Sequence, residues 1–350
     1  MMTQICSGRS NIRLLSLGKL ALGLFCLFLM SVPQPANALG SGWYAIKVKV
    51  EHQYSDYNAF TYPKAIPPVY PDVVWQQFDP YVIDFPENRT LVRITQTFGP
   101  TTAVQMRYQL SAMTEEKEQR LYFVQVAHEV HPLFSAYCNG QFLNQPDMLK
   151  AWAGTLGGIY NNAGWIVAEA SLGYNLNHPV SGAEGLTADQ ASNAKTWSPL
   201  LSLRYAIDTR TAVQVRWEGY FTKSEGNDLQ SHAVTGTLSR HFPTRTALHL
   251  TGRWFDADVG IRSFSPGFEV AQYLAWNVVG RVSYRYYDNE YDDLSTVTNI
   301  DGTSIVSNSL TLLTEYDMRP DLKLHVKYRR YESNQSIRMN TYLAGCEWTL

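Results

Sequence analysis

The sequence predicts an all-β protein: a single transmembrane, antiparallel, up-and-down β-barrel of about sixteen strands. Three observations carry this reading. Short segments from Trp43 to Leu350 alternate apolar with polar or charged residues. Very short turns join these segments in pairs, and longer polar connections join the pairs. A secretory leader precedes them all.

The segment Thr102–Ala112 shows the alternation cleanly. Val104, Met106, Tyr108 and Leu110 fall on one face of an extended chain, and Gln105, Arg107 and Gln109 on the other, because successive side chains of a strand point to opposite faces. An Arg or Lys turned toward hydrocarbon at mid-depth costs about 2–4 kcal/mol. That penalty fixes which face of each strand points outward. No run beyond the leader approaches the roughly 20 apolar residues of a membrane-spanning helix.

The leader has a basic region (Arg9, Arg13, Lys19), a short apolar core (Leu20 to Val32) and an Ala36-Asn37-Ala38 processing site. Residues 1–38 are therefore expected to be a cleaved signal peptide, and residues 39–350 a single barrel.

The first strand, Trp43–Tyr54, sends Ile46, Val48 and Val50 outward and Lys47, Lys49 and Glu51 inward. After a connection from Asp56 to Asn88, strands Arg89–Phe98 and Thr102–Ala112 turn at Phe98-Gly99-Pro100-Thr101, with Arg93 and Arg107 inward. Beyond Thr114 to Glu118, strands Gln119–Val130 and Leu133–Leu143 turn at Val130-His131-Pro132. Leu149–Tyr160 and Trp165–Asn175 turn at Tyr160-Asn161-Asn162-Ala163-Gly164. The connection Asn177 to Lys195 then leads to Pro199–Ile207, with Arg204 inward. Ile207-Asp208-Thr209-Arg210 turns into Thr211–Phe221, where Val213, Val215 and Trp217 face outward and Arg216 and Glu218 inward.

Lys223 to Asp228 precedes Gln230–Phe242, and Phe242-Pro243-Thr244-Arg245 precedes Thr246–Phe255. In the latter Leu248, Leu250 and Trp254 point outward and His249 and Arg253 inward. Asp256 to Gly260 leads toward Gly267–Leu274, and Ala275-Trp276-Asn277 into Val278–Tyr287, with Arg281 and Arg285 inward. The acidic run Asp288 to Asp301 precedes Ser309–Met318. Met318-Arg319-Pro320-Asp321 turns into Leu322–Tyr331, with Leu322, Leu324, Val326 and Tyr328 outward and Lys323, Lys327 and Arg329 inward. Ile337–Leu350 ends the set. Pro, Gly and Asn recur in the turns because they punctuate chain reversals, and proline is not expected inside a central strand. An even strand count puts both ends of the sheet on the short-turn side.

The connection from Tyr57 to Pro86, rich in proline and aromatics, is long enough to suggest a role. It reads either as a surface loop over the mouth or as a constriction folded into the lumen.

The inward basic residues are Lys47, Lys49, Arg93, Arg107, Arg204, Arg216, Arg253, Arg281, Arg285, Lys323, Lys327, Arg329 and Arg338. The inward acids are Glu51, Glu129, Glu169, Glu218, Glu315, Asp317 and Glu347. The wall is thus expected to be net positive. Rings of Arg or Lys favour anions in a pore, whereas cross-strand pairing would only stiffen a wet interior. The leader carries three of the 29 basic residues and none of the 31 acidic ones. Its removal leaves a net charge of about −5, which gives no reason to expect nucleic acid as a partner.

Aromatics at 13 %, with 22 tyrosines, suit rings at both membrane interfaces. The motifs Tyr284-Arg285-Tyr286-Tyr287 and Tyr328-Arg329-Arg330-Tyr331 read as interface rings outside with an arginine and a tyrosine inside; a ligand platform is the alternative. Of four cysteines, Cys6 and Cys26 belong to the leader. Cys138 and Cys346 read as small outward-facing hydrophobes, with a disulfide or metal pair as the alternative. No Cys/His spacing supports a metal site, no CxxCH motif supports covalent haem, and no cofactor is expected. A hydrolytic barrel would need a serine activated by histidine. His249 has inward hydroxyl neighbours such as Thr251, but no His-x-Ser motif is present.

The segment Tyr342 to Leu350 has Gly345, an aromatic at Trp348 and a terminal hydrophobe at Leu350. It resembles the C-terminal β-signal read by the barrel-assembly machinery. With the leader and hairpins, the chain resembles Gram-negative outer-membrane β-barrel proteins of porin-like type, whose commonest last residue is Phe rather than Leu. The resemblance implies export through the periplasm to the outer membrane, with the short turns periplasmic and the longer loops extracellular, and contact with outer-membrane lipid and the assembly machinery. It implies a non-enzymatic channel for passive diffusion of small solutes, anion-preferring on the charge count, and it is compatible with a homo-oligomer. The alternatives are a structural sheath or subunit of an electron-transfer or export complex and, less favoured, an outer-membrane hydrolase.

Overall fold

A computed structural model describes residues 45–58, 87–114, 117–145, 149–179, 194–224, 227–258, 261–291, 305–334 and 338–350. The expected signal peptide and most of the connection between residues 57 and 86, including the constriction considered for it, lie outside the described residues.

Sixteen strands form the barrel: β1 (Ile46–Asn58), β2 (Glu87–Phe98), β3 (Thr102–Thr114), β4 (Lys117–His131), β5 (Phe134–Gln145), β6 (Leu149–Asn162), β7 (Ile166–Pro179), β8 (Ala194–Ala206), β9 (Thr211–Ser224), β10 (Asn227–Phe242), β11 (Thr246–Ala257), β12 (Ile261–Ala275), β13 (Val278–Tyr291), β14 (Ile305–Arg319), β15 (Leu322–Ser333) and β16 (Arg338–Thr349). Each pairs antiparallel with its sequence neighbours, and β1 pairs with β16 to close the sheet. At the seam Leu350 N donates to Ile46 O at 2.7 Å and Ile46 N to Leu350 O at 3.4 Å. Closure leaves no unpaired edge, so the ladder satisfies the backbone without water.

The seven short turns fall where proline, glycine and asparagine place them. Gly99 (φ 67°), Gly164 (φ 82°), Ala163 (φ 47°) and Arg245 (φ 59°) take the left-handed conformation that reverses the chain tightly. In the turn after β8, one Asp208 carboxylate oxygen accepts from Arg210 N at 2.6 Å and Thr211 N at 2.7 Å. The Arg210 N–H, foremost, holds this carboxyl below its ordinary range. A depressed carboxyl contributes fully above its unfolded pKa and loses that contribution as pH falls through its folded pKa. The protection of the Arg210 and Thr211 amides, measured as exchange relative to the unfolded chain at the same pH, is therefore expected to fall on acidification and in Asp208→Ala to be low at every pH.

Strands overrun their sequence limits mainly at the long-loop end. β12 begins at Ile261 rather than Gly267 and β8 at Ala194 rather than Pro199, so both contain an internal proline. The ladder accommodates each one. Pro266 pairs with Gly252 on β11, but β12–β13 pairing skips from Phe264 to Gly267. There the Ser265 hydroxyl donates to Tyr286 O at 2.9 Å. Pro199 likewise sits where β8–β9 pairing skips from Trp197 to Leu200. A missing N–H is tolerated where no ladder bond is asked of it.

The outer face is apolar. Leu156 (68 % exposed), Leu201 (55 %) and Val326 (61 %) have no protein covering them. Toward the long-loop end, aromatic rings adjoin across strands: Tyr108–Tyr122 at 5.2 Å, Tyr122–Phe142 at 6.2 Å and Phe142–Trp152 at 4.1 Å between centroids. Phe98, Phe134, Tyr160, Trp165, Tyr273 and Trp276 are exposed at the short-turn end. Cys138 and Cys346 form no disulfide, and both lie in register with outward residues, Cys138 with Leu156 and Cys346 with Val50.

Candidate functional site

Register sorts the opposite face. Lys49 pairs with Arg93 and Arg93 with Arg107, while Glu347 lies across from both Lys49 and Lys323. Arg216 pairs with Thr235 and Thr235 with Arg253; Arg204 pairs with Gln214, Arg281 with Ala271 and Arg285 with Gly267. One cavity of about 380 Å³ is bounded by Arg107 on β3, Tyr137 on β5, Asn175 on β7, Arg216 on β9 and Arg253 on β11. Residues from strands so far apart meet only across the interior. Lys47, Lys49, Arg93, Arg107, Arg204, Arg216, Arg253, Arg281, Arg285, Lys323, Lys327 and Arg329 therefore all share the inner face.

Arg338 does not. It pairs with Glu332, one strand position past inward Tyr331 and Met339, and its side chain lies 3.8 Å from the Glu332 carboxylate on the outer face. Alternation from inward Glu347, nine residues away on an unbroken strand, already sets Arg338 on the outer face, and at this exposed strand end no hydrocarbon penalises an outward charge. Among the described residues, two further charges lie inward that the sequence pattern does not single out. Arg89 pairs with Gln53 and Ser111, and Glu269 with His249 and Ser283. The flanking Phe268 and Val270 carry the outward phase for Glu269.

The inner charges are unevenly neutralised. On the β9–β14 side, Glu218 bridges Arg216 (2.5 Å) and Arg253 (3.0 Å), and Arg281 lies between Glu269 (3.5 Å) and Glu315 (3.1 Å). Lys323 pairs with Asp317 at 3.5 Å, Arg204 donates to Gly164 O at 3.2 Å, and Arg285 donates to the Ser265 hydroxyl at 2.6 Å.

The wall from β15 through β3 differs. Glu51 accepts from Lys49 at 2.8 Å and from His325 at 2.7 Å. Arg93, Arg107, Lys327 and Arg329 make no ion pair among the described residues. Arg107 instead lies over the Phe123 ring, 4.9 Å from its centroid. Lys49, Arg93 and Arg107 thus stand side by side on three consecutive strands, an arrangement of like charges that a sheet disfavours.

His325 is buried and reaches Glu51 across β16 by passing over Gly345, which is register partner to both residues. A Cβ on Gly345 would come within 2.5 Å of His325 Nε2 and 2.7 Å of Val50 O. The Glu51–His325 contact joins residues 274 apart in sequence, so no local pattern announces it.

Toward the long-loop end the inward side chains Ser55, Ser111, Gln119, Leu143 and Phe255 are buried. The interior there is packed. In the two Tyr-Arg motifs, Tyr284 and Tyr328 point outward against Phe268 (5.9 Å) and Tyr342 (5.2 Å). Near the short-turn end, His249 Nδ1 lies 2.8 Å from the Ser239 hydroxyl rather than beside Thr251. Among the described residues no group of three His, Cys, Asp or Glu side chains could hold a metal ion.

No protein-family model matches the chain, and no curated protein matches it. Its fold is similar to those of solved outer-membrane proteins. A bacterial polysaccharide outer membrane secretin aligns with TM-score 0.56 at 10 % identity, over 87 % of this chain and 97 % of that one. Pseudomonas aeruginosa OccK3 (OpdO) aligns with TM-score 0.52 at 8 % identity, over 88 % and 95 %. Pseudomonas aeruginosa OpdQ aligns with TM-score 0.50 at 10 % identity, over 88 % and 98 %. The shared feature is the fold.

Proposed function

We propose that this closed sixteen-strand barrel is an outer-membrane channel for passive diffusion of small solutes, with a preference for anions. The outward apolar band, the aromatic rings at both ends and the fold shared with outer-membrane proteins support the location. Segment Tyr342 to Leu350, which forms most of β16, is the part offered to the barrel-assembly machinery.

The observation that carries the anion preference is the cation row Lys49–Arg93–Arg107. Keeping three cations adjacent, with Lys327 and Arg329 nearby and Glu51 already shared by Lys49 and His325, costs stability unless mobile anions offset it. On the opposite side Arg216, Arg253 and Arg281 have carboxylate partners, while Arg204 and Arg285 bond a carbonyl and a hydroxyl, so the surplus positive charge is densest from β15 through β3. A field of one sign along a narrow passage raises the local concentration of the opposite ion.

The test is the reversal potential of the purified protein in a planar bilayer under a KCl gradient. Chloride is expected to permeate better than potassium. One unit charge at about 5 Å in water is worth roughly 0.8 kcal/mol. Arg93→Gln with Arg107→Gln removes two such charges, roughly 1.6 kcal/mol for a passing chloride, and should therefore shift the permeability ratio toward potassium by at least roughly tenfold. Potassium preference in the parent protein would overturn the anion reading, and absence of any conductance the channel reading.

A further inference from the structure

The outward face at the long-loop end carries basic residues in nearly every sector, and most are matched. Arg120 pairs with Glu118 at 2.7 Å, Arg262 with Asp256 at 3.1 Å, and Arg330 and Arg338 both with Glu332. The sector from β6 to β9 is the exception. Lys150, Lys195 and Lys223 are exposed there, on the same face as Trp152, Trp197 and Phe221. None of the three makes an ion pair among the described residues.

Lys195 and Lys223 are direct register partners. Like charges facing each other across neighbouring strands oppose sheet pairing. Asp228 faces Lys223 from β10, but no ion pair joins them, and one carboxylate would not balance three ammonium groups. Two register pairs along the strands toward mid-barrel, Trp197 is opposite Phe221, and the Tyr174 ring lies 4.5 Å from that of Trp197. A ring shelf of this kind marks the level where acyl chains give way to headgroups.

We propose that Lys150, Lys195 and Lys223 form a binding site for the phosphates of an outer-leaflet lipid whose acyl chains lie along the Trp197 and Phe221 rings. The assignment rests on the outer-membrane reading above. Lipid phosphate supplies the negative charge that this sector lacks and relieves the Lys195–Lys223 repulsion. A polybasic patch at a membrane surface gains roughly fivefold in affinity per lysine.

The probe is bis-phosphorylated lipid A, added to the purified full-length barrel in neutral detergent and followed by native mass spectrometry and thermal unfolding. Phosphorylated lipid A is expected to remain bound and raise the unfolding midpoint, whereas its dephosphorylated form and inorganic phosphate at the same concentration do neither. Lys195→Ser with Lys223→Ser should weaken retention by roughly 25-fold, and Arg330→Ser should leave it unchanged. Lys195→Glu places opposite charges across the strands. It should raise the unfolding midpoint without lipid while abolishing the response to lipid A. Equal retention of both lipid A forms, displacement by inorganic phosphate, or an Arg330→Ser loss as large as the lysine loss would overturn the site. Normal conductance with no phosphate dependence would remove this inference alone. A protein that needs no detergent would remove the membrane reading with it.

Discussion

Gly345→Val is expected to keep the barrel from closing properly and to lower its stability by about 3 kcal/mol, the upper end for overpacking a filled site. Gly345 lies under the His325 ring and against the Val50 carbonyl. Any Cβ there must displace a backbone oxygen of the first strand as well as a side chain of the fifteenth. The His325–Glu51 contact, which passes over β16 to tie β15 to β1, would be lost as well. The measurement is the unfolding midpoint in detergent, together with the fraction that migrates as a compact band before heating. His325→Ala in the same background should recover only part of the loss, because the Val50 carbonyl remains in the way. A midpoint equal to the parent's would show that the seam tolerates a side chain and that this geometry is wrong.

Val326→Arg is expected to be nearly as damaging, by about 2–4 kcal/mol, when unfolding is measured in a lipid bilayer. Val326 points outward near the middle of β15 and is 61 % exposed. The guanidinium would have to leave water for hydrocarbon. The neighbouring Lys327→Met places an apolar group on the inner wall and should change stability by no more than about 0.5 kcal/mol. Equal costs for the two variants would mean that the outer face does not meet lipid.

Those two neighbours also show why so much of the architecture is legible in the sequence. At mid-depth the energy gap between lipid and water is several kcal/mol for a charge, so a strand such as Leu322–Tyr331 reports its own orientation. Where the gap vanishes, legibility goes with it. Arg338 sits at a strand end beyond the apolar band, where no charge penalty reports its face and only alternation counted from Glu347 does. The strand limits at Ala194 and Ile261 were missed because Pro199 and Pro266 argue locally against a strand, while the ladder needs nothing from those two nitrogens. Ion-pair partners were the least accessible part. Glu218 between Arg216 and Arg253, and Glu51 beneath His325, depend on side chains crossing strands, which alternation does not encode. The cation row on β1, β2 and β3 is intermediate: each member's face was readable, and only the pairing register made them neighbours.

The order of strands around the barrel bears on how the chain reaches this state. Fifteen of its sixteen pairings join consecutive strands, and only the β1–β16 pairing is remote in sequence. Hairpins can form one after another at little entropic expense. The final union of the two outermost strands brings together segments almost the whole described chain apart. The entropy of that step rises only with the logarithm of chain length, so the barrel faces one slow, distant meeting rather than many. Until it occurs, two raw sheet margins stay available for pairing with the wrong strand. The histidine that bridges to the first strand engages only at that moment, acting as a clasp that fastens after the circle is drawn shut.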